Sequence, residues 1–335
     1  MISGLLAFAG NAAGENCYTR GADRTFLQVW SQDDERTDSQ WAALFVSLRE
    51  LGFSEVIVQW TSYEDLVIFG DQGEGDSMLA RMIKGAAAAN VKLWIGLDYD
   101  PRWWDKIARD GNLTRVYLND RLEILSDRVG LLVSVIEAAD ESGTLVVGWY
   151  ISDEIDDKNW HGRDRTNALS AYLAALQGIL NDHRPDWPVL ISGFSNGILS
   201  PKQWADFWGA LLETSGIDGL LFQDGVGAGK LSIEELGLYA PLLAAKLKGA
   251  HKSFELIVEI FTEYPDPTGN PLFIAAPFSR VQKQLAAVHQ YTMESVTIFS
   301  APDYLLGEGD TIKQLRMDWE TDRSGCVGDE YTHRK

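Results

Sequence analysis

Two glutamates stand where apolar stretches of the sequence give way to polar ones. Glu154 lies in LVVGWYISDEIDD, residues 145–157, and Glu259 lies in FELIVEIF, residues 254–261. Each follows a run of aliphatic and aromatic residues of the kind that forms a buried strand. Two facing carboxyl groups can cleave a glycosidic bond, one as proton donor and one as nucleophile at an oxocarbenium-like carbon. That chemistry requires a fold that brings the two strand ends together.

Apolar runs recur along the chain and alternate with longer segments of helical period. Eight of them are predicted strands, at 25–30, 55–60, 92–98, 145–152, 188–194, 219–224, 254–261 and 295–301. Eight strands that alternate with helices, each apolar enough to be buried on both faces, indicate an α/β fold, the (β/α)8 TIM barrel. The alternative is an open doubly wound sheet, but QVWSQDD occupies the place where that fold carries G-x-G-x-x-G.

The segments between the strands show the periodicity and the end signals of helices. Seven helices are predicted, at 39–51, 77–90, 122–142, 166–183, 201–215, 233–248 and 277–291. Cap residues or proline precede several of them, and glycine ends several. No linker rich in Pro, Gly or Ser divides the chain. We therefore predict a single domain, with an N-terminal extension over 1–24, the barrel over 25–320 and a C-terminal tail over 321–335.

Composition narrows the class of partner. A net charge of −20 argues against nucleic acid, because phosphate binding depends on Lys and Arg. No apolar stretch reaches the roughly 18 residues that a membrane-spanning helix needs. Twelve Trp and eleven Tyr suit a groove for ligands that are half apolar and half hydroxylated. The His and Cys residues show no metal-ligand spacing. We expect a carbohydrate partner, no nucleic acid, no transmembrane segment, no metal and no cofactor.

The carboxyl ends of the strands should hold the site, because barrel enzymes work at that face. Alternation places Tyr150 inside the barrel with Glu154, and turns Asp153 toward the helices, where it supports Glu154. The same rule turns Glu259 inward, because the opposite register would bury its charge among apolar side chains. Asp224 either forms a turn with the next glycine or positions a substrate or catalytic group. The predicted substrate-binding residues are Gln28, Trp30, Gln59, Trp60, Asp98, Trp103, Trp104, Tyr150, Asp153 and Asp224.

Other acids near the strand ends have simpler interpretations. Asp156 and Asp157 are expected to begin a solvated loop. Asp98 and Asp100 could form a cation site with Asp153 and Asp156, because Ca²⁺ and Mg²⁺ prefer oxygen ligands. Their spacing lacks a calcium-loop pattern, so a metal-assisted hydrolase or lyase is the weaker alternative.

Two resemblances bear on these residues. The positions of Glu154 and Glu259 on strands 4 and 7 resemble those of retaining barrel glycosidases, which implies that Glu154 is the acid/base and Glu259 the nucleophile. Those enzymes usually carry Asn before the acid/base, where this chain has Asp153. Over most of the chain, TFLQVW, VIVQWT, LWIGLDYDPRWW, VGWYISDEID, LLFQDGVG and VEIF look like the glycoside-hydrolase-like barrels of domain of unknown function 4434. This resemblance implies a sugar-active barrel that is exported and linked to exopolysaccharide handling.

The sequence thus predicts a glycoside hydrolase that acts on a polysaccharide or oligosaccharide. The alternative is a catalytically silent barrel that binds exopolysaccharide for export or assembly, and a salt bridge to either glutamate would favour it. Cys17 and Cys326 are either separate thiols or one disulfide, and a disulfide implies an oxidising compartment. The N-terminal segment has a short apolar stretch without a basic region, which is at most the remnant of a secretion signal. We expect a periplasmic or extracellular location, with the cytoplasm as the alternative.

Overall fold

The structure, a computed structural model, describes residues 17–70, 76–266, 271–291 and 295–326. Eight parallel strands close into a barrel in which each strand neighbours the next along the chain and the last pairs with the first. The eight predicted strands and the predicted (β/α)8 barrel are confirmed. The strands are β1 (Ala22–Leu27), β2 (Glu55–Val58), β3 (Lys92–Gly96), β4 (Val146–Asp156), β5 (Val189–Phe194), β6 (Gly219–Gln223), β7 (Ser253–Glu259) and β8 (Val296–Phe299).

Helices follow the strands and cover the barrel. The main ones are α1 (Asp38–Glu50), α2 (Met78–Ala89), α3 (Gly111–Ala139), α4 (Arg163–His183), α5 (Pro201–Ser215), α6 (Ile233–Gly249), α7 (Phe278–Val288) and α8 (Asp310–Gly325). Capping boxes at Thr37, Ser200 and Ser232 begin three of them, as the N-cap preference for Ser and Thr predicts. The sequence did not predict α8, which crosses the expected tail boundary at residue 320. Within the described ranges, no helix combines the length and apolarity required to span a membrane.

Side chains on the strands alternate between the barrel interior and the layer under the helices. Tyr150 belongs to the interior cluster, whereas its neighbours Trp149 and Ile151 pack in the outer layer. In the same way Ile257 points inward and Val258 points outward. The predicted registers of β4 and β7 are therefore confirmed. The interior cluster consists of Phe26, Ile57, Trp94, Tyr150, Leu190, Leu221 and Ile257.

Buried charge closes the amino-terminal end of the barrel. Arg24 on β1 forms ion pairs with Glu55 and Glu255, each at 2.6 Å. The indole nitrogen of Trp94 also donates to Glu55, at 2.7 Å. These contacts satisfy the charges at this end, which leaves the opposite, carboxyl end as the open one.

A disulfide joins the two ends of the described chain. Cys17 and Cys326 are bonded, with Cα atoms 5.1 Å apart and a separation of 309 positions in the sequence. Hydrogen bonds reinforce the junction, since the Tyr18 and Thr19 backbone N–H groups both donate to the Asp322 carboxylate. The structure thus selects the bonded alternative and ties the segment before β1 to the last turn of α8.

Reduction of this disulfide is expected to destabilise the protein by about 2–4 kcal/mol, because the bond restricts a long loop in the unfolded chain. Denaturant unfolding with and without reductant, monitored by circular dichroism, measures the change. The Cys17→Ser/Cys326→Ser variant should match the reduced protein and be insensitive to reductant. Equal stability of the oxidised and reduced protein would contradict the expectation.

Candidate active site

A pocket of about 710 Å³ opens at the carboxyl ends of the barrel strands. This is the face at which barrel enzymes carry their active sites. Both predicted catalytic residues line the pocket, together with five of the predicted substrate-binding residues. These are Glu154, Glu259, Gln28, Trp30, Gln59, Trp60 and Trp104.

The pairing of β4 is irregular next to Glu154. The strand is 11 residues long, and its pairing with β5 shifts register between Ile151 and Ile155. Irregularities of this kind are frequent next to active sites. Within the shifted segment, the Ser152 hydroxyl donates to the backbone oxygen of Gln59, at 2.7 Å. This bond fixes the irregular segment against the end of β2.

Among the residues that the structure describes, the Glu154 carboxylate has one hydrogen-bond partner, and a cation lies nearby. Gln223, the last residue of β6, donates from Nε2 to Oε1 at 2.7 Å. Burial raises the pKa of Glu154, while the bond from Gln223 and the charge of Lys230 oppose that rise. A carboxyl group with a raised pKa retains a proton closer to neutral pH, as a proton donor requires, and the pKa of Glu259 is raised as well, so this property alone does not tell the two roles apart. Sequence reasoning selected Asp224 from FQDG, although the preceding Gln223 is the residue that contacts Glu154.

The Glu259 carboxylate is buried and is held by backbone donors. The Ala228 N–H donates to Oε2 at 2.8 Å. The close approach of this backbone to Glu259 depends on Gly227, because a Cβ there would lie 2.7 Å from the Glu259 Cβ and 2.9 Å from Oε2. Burial, followed by the negative charge of Asp224, raises the pKa of Glu259. The backbone N–H groups and Lys230 act in the opposite direction.

Asp224 lies behind Glu259 and not in the pocket. It is fully buried and accepts from Gln284 Nε2 at 2.6 Å, from the Val226 N–H at 3.1 Å and from the Glu259 N–H at 3.4 Å. Gln284 also donates to the Glu259 backbone oxygen, at 3.1 Å. Burial raises the pKa of Asp224, against the hydrogen bonds that it accepts. Of the alternatives for Asp224, this placement agrees with a residue that positions a catalytic group. Asp224 does not line the pocket, so it is not placed to contact a substrate.

Lys230, which is not among the predicted site residues, brings positive charge to the same pocket. Its ammonium lies 3.6 Å from the centre of the Phe194 ring and 3.4 Å from Asn196 Oδ1. Burial lowers the pKa of Lys230, whereas Glu154 and Glu259 act to raise it. The lysine follows β6 in a glycine-rich loop, so strand periodicity gives no information about where it points.

One wall of the pocket is a cluster of four aromatic rings. Trp60 and Tyr63 have centroids 5.1 Å apart, and Tyr99 stacks on Tyr63 at 5.9 Å with 17° between the planes. Trp30 completes the cluster, 5.1 Å from Trp60. The sequence predicted Trp30 and Trp60 here and missed the two tyrosines, which belong to a small additional sheet above the barrel formed by Ser62–Tyr63, Leu66–Val67 and Asp98–Tyr99.

Two predicted substrate-binding residues are buried below the pocket. Trp103 is 0% exposed, and its indole nitrogen donates to the Glu154 backbone oxygen at 3.0 Å. Of the adjacent residues Trp103 and Trp104, both predicted to bind substrate, only Trp104 lines the pocket. Tyr150 is also fully buried, with its hydroxyl 2.7 Å from Ser192 Oγ inside the barrel. In this arrangement both rings support the site and do not contact a ligand.

Asp98 and Asp153 lie on the helix side of the barrel end. The buried Arg121 of α3 pairs with both carboxylates, and Asp98 pairs with Arg128 as well. The Tyr172 hydroxyl of α4 donates to Asp153 at 2.6 Å. The predicted outward orientation of Asp153 is thus observed, whereas Asp98 does not face the pocket. Asp153, the residue before Glu154, is therefore held by this network of ion pairs and hydrogen bonds, and its side chain does not line the pocket.

The expectation of a solvated loop after Glu154 is wrong. Asp157 is 0% exposed and accepts from the backbone N–H groups of Asn196, Ile198 and Leu199 at 2.7–3.0 Å. Asp156 is buried too and caps the short helix Asp157–Trp160. These acids fold the loops after β4 and β5 onto one another, because carboxylates satisfy otherwise unpaired backbone donors.

The proposed cation site does not form in the part of the chain that the structure describes. No group of three or more His, Cys, Asp or Glu residues there could hold a metal ion. Asp98 and Asp153 are neutralised by arginine, and Asp100 pairs with Arg102 at 2.9 Å. The carboxylates that the alternative required therefore have other partners.

The closed eight-strand barrel, with two carboxylates in one aromatic pocket at the ends of β4 and β7, defines the class of protein as a (β/α)8 barrel. The sequence matches the family described as Domain of unknown function (DUF4434) over residues 23–308. The chain belongs to this family. It is 32% identical over 250 residues to "Uncharacterized protein YbcH" of Escherichia coli (strain K12), covering 72% of this chain and 79% of that one.

Solved structures share the barrel at low sequence identity. A putative alpha-L-fucosidase from Bacteroides thetaiotaomicron VPI-5482 superposes with a TM-score of 0.71 at 16% identity, covering 97% of this chain and 99% of that one. The intracellular xylanase TsXylA from Thermoanaerobacterium saccharolyticum JW/SL-YS485 gives 0.54 at 11%, covering 90% and 98%. A chitinase from Pseudoalteromonas aurantia gives 0.52 at 13%, covering 89% and 99%. At these identities the comparisons show a common fold.

Proposed function

We propose that the protein is a glycoside hydrolase that cleaves a polysaccharide or oligosaccharide with Glu154 and Glu259. The observation that carries the proposal is the presence of both carboxylates, from β4 and β7, in one aromatic-lined pocket. Among the described residues neither carboxylate takes part in an ion pair, so both remain available for proton transfer or attack. This freedom favours a hydrolase over a silent binding barrel.

In the proposed reaction Glu154 donates a proton to the leaving glycosidic oxygen, and Glu259 attacks the anomeric carbon. Water then releases the glycosyl group from Glu259, with Glu154 acting as the base. The backbone donor from Ala228 holds one Glu259 oxygen, which leaves the other to react. Lys230 supplies positive charge next to both carboxylates. The aromatic cluster offers apolar faces for sugar rings.

The proposal includes an oxidising compartment, periplasmic or extracellular. Its support is the disulfide between Cys17 and Cys326, since such bonds persist mainly outside the reducing cytosol. Mass spectrometry of the protein from each cell fraction, with thiols alkylated at lysis, tests this directly. Recovery of the reduced protein in the cytoplasmic fraction alone would reject it.

A glycan screen tests the catalytic proposal. The wild-type protein and the Glu154→Gln/Glu259→Gln variant are incubated with a panel of polysaccharides, and new reducing ends are measured. We expect release by the wild-type protein alone. Binding of a glycan by both proteins, with no release by either, would reject hydrolysis and favour the silent barrel that binds exopolysaccharide.

The Asp224→Asn substitution is expected to move the acid limb of the kcat/KM–pH profile to lower pH. Glu259 must be ionised to attack, and the charge of Asp224 raises its pKa. Removal of that charge lowers the pKa of Glu259, so the active form persists at lower pH. The comparison is with the wild-type protein and with Asp206→Asn, a substitution on the surface of α5. A shift of the alkaline limb instead would show that Glu259 is the proton donor and that the two roles are exchanged.

A further inference from the structure

A second cavity, of about 570 Å³, lies beside the active-site pocket. Trp30 and Tyr63 line both cavities, so their rings form the wall between them. The remaining lining comes from the turn after β1 and from the hairpin after β2. It consists of Ser31, Gln32, Asp34, Glu64, Asp65 and Leu66. The proposed hydrolysis itself makes no use of this cavity.

Ring packing holds the shared wall in place. Tyr63 contacts Trp30 at 5.4 Å between centroids, Trp60 at 5.1 Å and Tyr99 at 5.9 Å. The backbone at Tyr63 pairs with Tyr99 in the small sheet. Trp30 and Tyr63 are nevertheless only half-buried, so each keeps part of its ring surface for a ligand. Aromatic rings that are fixed and half-exposed suit the apolar faces of sugar rings.

The polar side chains of this cavity are three carboxylates, one amide and two hydroxyl groups. Glu64 and Asp65 are exposed at the hairpin turn, and Gln32 is exposed across from them. The lining within the described residues contains no Lys or Arg, and Asp34 is already paired with Arg81 at 2.7 Å. Carboxylates accept hydrogen bonds from hydroxyl or ammonium groups and repel carboxylates and sulfates. The cavity therefore selects against anionic glycans.

We propose that this cavity is an outer sugar subsite, and that the substrate is a neutral or amine-bearing polysaccharide whose chain runs from the active-site pocket across Trp30 and Tyr63. This inference rests on the proposed function for the identity of the inner pocket. It adds a substrate class, because a small glycoside would fill the inner pocket alone. It also predicts that affinity increases with chain length.

The test uses the Glu154→Gln/Glu259→Gln variant, which binds without turnover, and calorimetric titration with oligosaccharides of increasing length. The probes are cello-, xylo-, chito- and chitosan oligosaccharides, with oligogalacturonides as the anionic series. For the series that binds, we expect Kd to fall about tenfold once the chain is long enough to cross Trp30 and Tyr63, the contribution of roughly one aromatic contact. The oligogalacturonides should show no such gain.

Two further sets of substitutions test which residues provide the increase of affinity with chain length. Tyr63→Ala should remove most of it, and Glu64→Ala/Asp65→Ala, at an exposed turn where folding is not at risk, should reduce it. Glu35→Ala is the matched control, because Glu35 lies in the same turn as Gln32 but outside the cavity lining. The control should retain the full gain.

Parallel hydrolysis assays with the wild-type protein separate this inference from the proposed function. Length-dependent binding without hydrolysis would reject the hydrolase and support the subsite. Hydrolysis without an increase of affinity with chain length would overturn the subsite alone. The same holds if that increase persists in Tyr63→Ala and in Glu64→Ala/Asp65→Ala. A gain with oligogalacturonides would overturn the proposed substrate class. Neither binding nor hydrolysis in any series would overturn both.

Discussion

Glu154→Gln is expected to lower kcat/KM by about 10²- to 10⁴-fold on a natural glycan, the range that general acid–base catalysis contributes. The substitution removes the transferable proton and keeps the size of the side chain. Gln223 can still donate to the amide oxygen at position 154, so the strand end should keep its geometry. Rates on the substrate that the glycan screen identifies, with circular dichroism as a check of folding, measure the effect.

The role of Glu154 can be separated from a general loss of activity. An aryl glycoside with an acidic phenol as leaving group needs little protonation, so Glu154→Gln should impair its cleavage far less. Glu213→Gln is the matched control, because Glu213 is an exposed glutamate on α5, remote from the pocket. Unchanged activity of Glu154→Gln on natural glycans would remove this residue from the mechanism.

The sequence predicted the barrel correctly because the fold is encoded locally and repeatedly. Each strand is an apolar run, each predicted helix carries its own periodicity, and several of the helices carry their own caps. Closure of the barrel then fixes which strand ends meet. That is why Glu154 and Glu259, 105 positions apart in the sequence numbering, could be placed in one pocket. The alternation rule gave their side-chain directions without knowledge of the loops.

Predictions failed where a side chain depends on loops folding over the barrel end. Trp103 and Trp104 are adjacent in a short helix, yet the first is buried and the second lines the pocket. Asp157 was expected in solvent and instead binds backbone donors after β5. Lys230 enters the pocket from a loop whose glycines impose no periodic pattern. None of these placements follows from a period of 2 or 3.6 residues.

Glu259→Gln is expected to reduce activity more severely, by about 10³- to 10⁶-fold, as removal of a nucleophile does in enzymes that form covalent intermediates. Glutamine cannot carry the negative charge needed for attack. The side chain keeps its shape, so the contact with the Ala228 N–H and the approach of Gly227 should persist. Steady-state rates on the same glycan, at several pH values, give the measurement.

Glu259→Ala provides an independent test of the nucleophilic role. Azide can enter the space left by the carboxylate and attack the anomeric carbon in its place. A product with the anomeric configuration opposite to that of the substrate, formed only with azide and an aryl glycoside, is expected. Glu154→Ala should instead give a glycosyl azide of retained configuration. If the two variants gave each other's products, the catalytic roles would have to be reversed.

Stability provides the final distinction between a structural and a catalytic Glu259. Its pKa is raised in the folded protein by burial and by Asp224, so its contribution to stability is present below its unfolded pKa and lost as pH rises through the folded value. Glu259→Gln carries no such penalty. The variant should therefore gain stability relative to the wild-type protein as pH rises, while its activity stays low. If the carboxylate served the structure, Glu259→Gln would instead be less stable than the wild-type protein at every pH, above as well as below the folded pKa. Urea unfolding of the wild-type protein and of Glu259→Gln, on either side of neutral pH, decides between a structural and a catalytic role. If Glu259 lowers the free energy of unfolding where it is ionised, its retention is explained by its chemistry and not by stability.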